Sequence, residues 1–66
     1  MKTTYDPTLD ALSVRLTDAE IRESEEVRPG IVFDYDKDGR IVGFEILDAH
    51  SNLSKGVDLN GKTKSA

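Results

Sequence analysis

Two β-rich runs, Ile31-Val32-Phe33-Asp34-Tyr35 and Ile41-Val42-Gly43-Phe44-Glu45-Ile46-Leu47, flank the segment Asp36-Lys37-Asp38-Gly39. Branched and aromatic side chains suit a pleated strand better than a helix. Gly39 can adopt the left-handed conformation that closes a three-residue hairpin loop with a bulge. In that register Asp36 faces Arg40 as a cross-strand ion pair, Tyr35 faces Ile41 and Val32 faces Phe44. Apolar residues then fall on both faces of the hairpin. Such a sheet needs cover on both sides, from a helix, from other strands or from another subunit.

The rest of the chain extends this β pattern. Lys2 to Tyr5 is short and Thr-rich, and Asp6-Pro7 opens a turn. From Ala11 to Thr17 apolar and polar residues alternate, with Leu12, Val14 and Leu16 on one side. A helix competes there, since Asp6 can cap, Pro7 can take the first helical position and Leu9, Leu12 and Leu16 recur at helical spacing. The unbroken period of two favours a strand. Between Glu20 and Val27, Ile21 and Val27 fit one face of a charged edge strand, ended by Pro29-Gly30. Ala49 to Ser54 suits a short helix capped by Asp48. From Gly56 the chain turns polar and reads as a mobile tail. The domain is therefore placed at residues 1–55 and the tail at 56–66.

With 66 residues the chain holds one domain, and at 36% hydrophobic and 33% charged residues its core is lean. It has no cysteine, so neither disulfides nor thiolate zinc sites can reinforce it. Self-association, most simply as a dimer, is the expected remedy. The formal net charge is −4, and the densest charge run is acidic, from Glu20 to Glu26. Nucleic-acid binders present a basic footprint, so nucleic acid is not an expected partner. The run Glu23, Glu25, Glu26 suits a basic protein partner, although charge runs more often serve solubility. No apolar run approaches the roughly 20 residues needed to cross a bilayer, and Met1 to Asp6 lacks the pattern of a signal peptide. The expected location is cytoplasmic, with no membrane partner.

Asp34, Asp36, Asp38 and Gly39, with Glu45 further on, satisfy the spacing of an EF-hand calcium loop. The context argues against it, because Pro29-Gly30 and the branched Ile31 and Val32 occupy the place of the entering helix. The hairpin accounts for the same residues without a metal. Calcium binding by Asp34, Asp36, Asp38 and Glu45 remains the alternative reading. Glu45 is placed on the face of Ile31, Phe33, Tyr35 and Ile41. It is either a buried carboxylate with a raised pKa or, as favoured here, a group that lies at the sheet margin or pairs with an Arg such as Arg15. His50 is the single histidine and reads as solvated or capping. No Ser stands in an activating context and no glycine loop cradles phosphate, so neither an enzyme nor a cofactor is expected.

The ordered segments Tyr5-Asp6-Pro7, Asp10-Ala11-Leu12-Ser13-Val14-Arg15-Leu16, Gly30 to Asp36 and Gly39 to Ala49 together resemble the small prokaryotic domain-of-unknown-function family 2283. The likeness covers Tyr5 to Ala49. It implies a compact β-meander followed by a C-terminal helical segment, and it implies no activity. Small proteins of this kind are sometimes encoded beside a small toxin-like protein, which implies an antitoxin-like role. The expectation is thus a mainly β (α+β) fold: a small antiparallel β-meander sheet with a short C-terminal helix, acting as a non-enzymatic binding or regulatory module.

Overall fold

The computed structural model describes residues 1–59. Five strands, β1 (Lys2–Asp6), β2 (Ala11–Arg15), β3 (Glu23–Arg28), β4 (Ile31–Tyr35) and β5 (Ile41–Ile46), precede one short helix, α1 (Ala49–Asn52). The strands form one antiparallel sheet in the order β1-β2-β5-β4-β3. The meander expected from the sequence is β3-β4-β5, and it is joined to the β1–β2 hairpin where β5 pairs with β2. The connection from residue 16 to 22 passes the ends of β5 and β4. It is held there by Leu16 N–H donating to the Val42 carbonyl at 2.8 Å and Arg22 N–H donating to the Tyr35 carbonyl at 2.8 Å.

The turns follow from their residues. The Asp6 carboxylate accepts the N–H groups of Thr8 and Leu9 at 2.9 and 3.3 Å, closing the first turn around Pro7. At the β4–β5 turn, Gly39 sits at φ 77° and donates to the Asp36 carbonyl at 3.0 Å, and Asp36 N–H donates to the Arg40 carbonyl at 2.8 Å. The Asp36 carboxylate accepts the N–H groups of Asp38 and Arg40 at 2.8 and 2.9 Å. Asp36 thus meets the backbone of Arg40, not its guanidinium in the ion pair expected from the sequence.

Tyr35 faces Ile41 as expected, but Val32 faces Glu45, and Phe33 faces Phe44. The cause is a bulge in β5. Tyr35 pairs with Ile41 and Asp34 pairs with Gly43, which leaves Val42 as the extra residue. A single-residue slip moves side chains to the opposite face. Ile31, Phe33, Phe44, Ile46, Leu12 and Val14 consequently share one face, linked by the pairs Ile31–Ile46, Phe33–Phe44, Leu12–Ile46 and Val14–Phe44. Glu45 belongs to the other face, with Val32 and Ser13 as its neighbours across the strands.

The core lies on the β1–β2 side of the apolar face. Tyr5, Leu12, Val14, Ala49 and Leu59 are buried together, with Phe44, Ile46 and Leu53 packed against them. Leu59 comes from the stretch read as a polar tail; residues 60–66 of that stretch lie outside the described residues. Asp48 precedes α1 in the left-handed conformation, at φ 47° and ψ 52°, and its carboxylate makes no capping bond. Its carbonyl accepts from Ser51 and Asn52 instead, both at 2.9 Å. The helix is then fastened by Asn52, whose side-chain amide donates to the Leu47 carbonyl at 2.7 Å.

Gly43 and Gly39 are needed for different reasons. A Cβ at Gly43 would collide with the Val14 carbonyl oxygen on β2, whereas a Cβ at Gly39 would meet open space and suffer only from the positive φ. Gly39→Ala should cost about 1–2 kcal/mol, the ordinary penalty of a left-handed residue with a Cβ. Gly43→Ala should cost more, because the β2–β5 pairing itself must open. Urea unfolding of both variants checks this ranking, and equal stabilities would contradict it.

Candidate functional site

The hairpin loop is the first candidate raised by the sequence, and the structure disperses its four carboxylates. Asp36 is engaged by backbone N–H groups at the turn. Those bonds, that of Arg40 foremost, hold its carboxyl below the usual range against the opposing effect of burial. Asp38 lies at the exposed tip, while Asp34 and Glu45 lie within the strands. Among the described residues no group of three or more His, Asp or Glu side chains is arranged to hold a metal ion.

Asp34 and Glu45 meet instead on the polar face of the sheet. Asp34 is 2% exposed, in register with Gly43 on one side and Ser24 on the other. The Ser24 hydroxyl donates to Asp34 Oδ1 at 2.6 Å, and Asp34 Oδ2 has no hydrogen-bond partner among the described residues. Burial, then the neighbouring Asp34 carboxyl, push the Glu45 carboxyl up to about 7, and the charge of Arg15 pulls it only partly back. The pairing of Glu45 with Arg15 favoured from the sequence does not form. The guanidinium of Arg15 donates to the carbonyls of Thr17, at 3.3 and 3.2 Å, and Ala19, at 2.8 Å, and so braces the connection to β3.

A third cluster was not foreseen. Tyr5 and Asp10 bracket the first hairpin turn, and His50 arrives from α1. The Tyr5 hydroxyl donates to Asp10 Oδ1 at 2.6 Å, and His50 Nδ1 lies 2.7 Å from the same oxygen. His50 N–H also donates to the Asp10 carboxylate, at 3.2 Å to Oδ2, and Ala49 N–H donates to the Asp10 carbonyl at 2.9 Å. Asp10 adopts a positive φ of 52° to accept these bonds. The bond from Tyr5, ahead of those from His50, lowers the Asp10 carboxyl against burial; the bond to Asp10, then burial, raises the Tyr5 hydroxyl to about 12. His50 is therefore partnered, although its side chain is 72% exposed. The signal available in the sequence was Tyr5-Asp6-Pro7 followed by Asp10, a turn with a carboxylate at its end. Nothing local ties it to a residue 40 positions away.

The fourth feature is a surface. The segment from α1 to Leu59 covers the β1–β2 side of the apolar face and leaves the β4–β5 side open. There a shallow depression of about 400 Å³ is lined by Leu16, Ile31, Phe33, Ile41, Phe44 and Ile46. Ile41 is 47% exposed and Leu16 45%. Strand β3 borders this depression, and all six of its residues are exposed. Glu25 faces Phe33 and Glu23 faces Tyr35, so both carboxylates lie on the apolar side. The Tyr35 hydroxyl reaches Glu25 at 3.4 Å; burial, ahead of that carboxylate, raises its pKa. Glu26 faces Val32 on the opposite side, where its carboxylate accepts the Gly30 N–H at 3.0 Å. The acidic trio singled out from sequence thus divides, with Glu23 and Glu25 bordering the apolar surface and Glu26 closing a turn.

These features define a small antiparallel β-sheet domain with one apolar face half covered by its own C-terminal segment. The family described as protein of unknown function (DUF2283) matches residues 2–50, and the chain belongs to that family. No curated protein and no solved structure matches it. Among the described residues no helix is long and apolar enough to cross a membrane.

The Glu45 carboxyl gives a signed pH dependence. Its folded value of about 7 lies above the ordinary 4.5, so the folded chain holds a proton that the unfolded chain releases. The resulting stability is full below about pH 4.5 and is lost as pH rises to about 7. Allowing for partial solvent screening, the loss should be about 1–3 kcal/mol. Thermal melting should therefore fall from pH 5 to pH 7.5, and Glu45→Gln should flatten that fall while raising the melting temperature at pH 7.5. A wild-type melting temperature that rises across this interval would refute the assignment.

Proposed function

We propose that this chain is a non-enzymatic binding module that takes a small basic protein partner on the open half of its sheet, in an antitoxin-like role. The observation that carries this reading is the apolar depression bordered by Glu23 and Glu25. Exposed contiguous apolar surface of this kind, rimmed by polar groups, is characteristic of interaction sites. The border is acidic, so the matching surface presents apolar side chains flanked by Lys and Arg, an arrangement that also speeds encounter. The net charge of −4 acts in the same direction. A second copy of the chain fits less well, because it would bring further carboxylates towards the same border. The resemblance to family 2283 supports the antitoxin-like role through the neighbouring small toxin-like protein it implies, and the acidic border supplies the preference for a basic one.

The test is to recover the stoichiometric partner with the immobilised chain, identify it, and measure its binding. A small basic protein is expected. Association should slow as salt rises, since exposed charges are screened over about 8–10 Å at ordinary ionic strength. The double change Glu23→Lys and Glu25→Lys should slow association further, and Ile41→Ser should speed dissociation by about tenfold. An acidic partner, or a basic one indifferent to both variants, would overturn the reading. Light scattering supplies the competing outcome. A dimer of the chain alone that Ile41→Ser dissociates, with no basic partner recovered, would assign the face to a second copy.

A further inference from the structure

The proposed binding surface has a neighbour with its own hydrogen-bonding capacity. Strand β3 is the last strand in the order β1-β2-β5-β4-β3, so among the described residues its outer edge carries backbone groups with no strand beside them. Resting on the functional reading above, we propose that the basic partner is captured by strand addition: an extended Lys- or Arg-bearing segment pairs antiparallel or parallel with the outer edge of β3.

Three observations favour this edge over the other. First, the composition is one-sided. Strand β3 reads Glu-Ser-Glu-Glu-Val-Arg, whereas β1, the opposite edge, reads Lys-Thr-Thr-Tyr-Asp and has no acidic excess. Like charges directly opposite each other oppose pairing and unlike charges favour it, so β3 rejects a second β3 and accepts a basic strand. Second, the placement is matched to the apolar depression. Glu23 and Glu25 lie on the apolar side through their pairing with Tyr35 and Phe33. Lys or Arg at alternate positions of an added strand would meet them there. Third, β3 is regularly paired with its neighbour over Glu23 to Glu26, with the irregularity confined to Glu26–Arg28 beside the turn. A regular stretch is what a new ladder requires. Strands lie about 4.8 Å apart, so an added strand sits roughly 10 Å from β4, and the body of the partner remains free to cover the depression. Backbone pairing would supply affinity and the carboxylates selectivity, the division seen in recognition by strand addition generally.

The probe is a short peptide alternating lysine and threonine, about the length of β3, with capped ends. Its control carries the same side chains with every backbone nitrogen methylated, which keeps the charge and removes the backbone N–H donors. The plain peptide should bind, should protect amides within residues 23–28 from hydrogen exchange, and should bind at least about tenfold more tightly than the methylated control, the expectation for losing even a pair of net hydrogen bonds. Glu25→Lys should weaken this binding, and Ile41→Ser should leave it unchanged because the peptide does not reach the depression. Equal binding of the methylated peptide, protection on β1 in place of β3, or no binding would overturn strand addition. The basic protein recovered above separates the two claims. If it depends on Glu25 and Ile41 yet leaves the β3 amides unprotected, strand addition fails and the binding module stands; if it ignores both residues, the functional reading fails itself.

Discussion

The β1–β2 hairpin and the β3–β4–β5 meander each arise from neighbours in sequence, and they become one sheet where β5 pairs with β2. That pairing brings Leu12 against Ile46 and Val14 against Phe44, which joins the buried core to the apolar half of the meander. It also requires the backbones to approach closely beside Gly43, where no side chain fits. The pairing spans about 30 positions of chain and must close a long loop before its contacts reward it. Local turns at Gly30 and Gly39 reduce that cost by fixing much of the intervening backbone in advance. The lean apolar content of the chain is concentrated at this junction, so the remaining contacts depend on it.

The same bulge that places Gly43 opposite Asp34 sorts the two faces chemically. Without it, Phe44 would fall opposite Val32 and each face would hold a mixture. With it, Ile31, Phe33, Phe44 and Ile46 gather on one side, and Asp34, Glu45 and Ser24 on the other. Two carboxyls beside each other in a partly dry environment cannot both ionise cheaply, so one retains a proton near neutrality. Glu45 is the one that shifts upward, because its burial and the adjacent Asp34 act together. The exposed apolar surface lies on the other face, where Leu16 and Ile41 are 45% and 47% exposed.

What the sequence made legible was whatever depends on near neighbours. Period two from Ala11 to Thr17 gave β2, and the Asp36–Gly39 turn with its left-handed glycine gave the β4–β5 hairpin. Failure came where a single extra residue decided the outcome. The Val42 bulge leaves no mark in the hydrophobic pattern, so Glu45 and Phe44 were assigned to the wrong faces. The calcium-like spacing from Asp34 to Glu45 shows the same limit. A motif fixes separations along the chain, while strand geometry fixes separations in space, and in a hairpin the two diverge with each residue from the turn. The Asp10–His50 contact was illegible for a further reason. It depends on α1 folding back over the first hairpin, a long-range consequence of the β2–β5 pairing that neither partner announces locally.

That contact fixes where the start of α1 sits against the sheet. Asp10 holds α1 through the His50 ring, the His50 N–H and the Ala49 N–H, so the helix is fixed at its first turn to the loop of the opposite hairpin. The Tyr5 hydroxyl, raised to about 12, remains a donor at any ordinary pH, and the lowered Asp10 carboxyl remains an acceptor. The tether to Asp10 through Tyr5 is therefore insensitive to the pH range in which Glu45 titrates. Anchored there, α1 packs Ala49 against Tyr5, Leu12 and Val14, while Asn52 at its other end lies beside Gly30 at the β3–β4 turn. Among the described residues the segment from α1 to Leu59 thus packs on the β1–β2 half of the face, and the depression lined by Leu16, Ile31, Phe33, Ile41, Phe44 and Ile46 lies on the half beside β3.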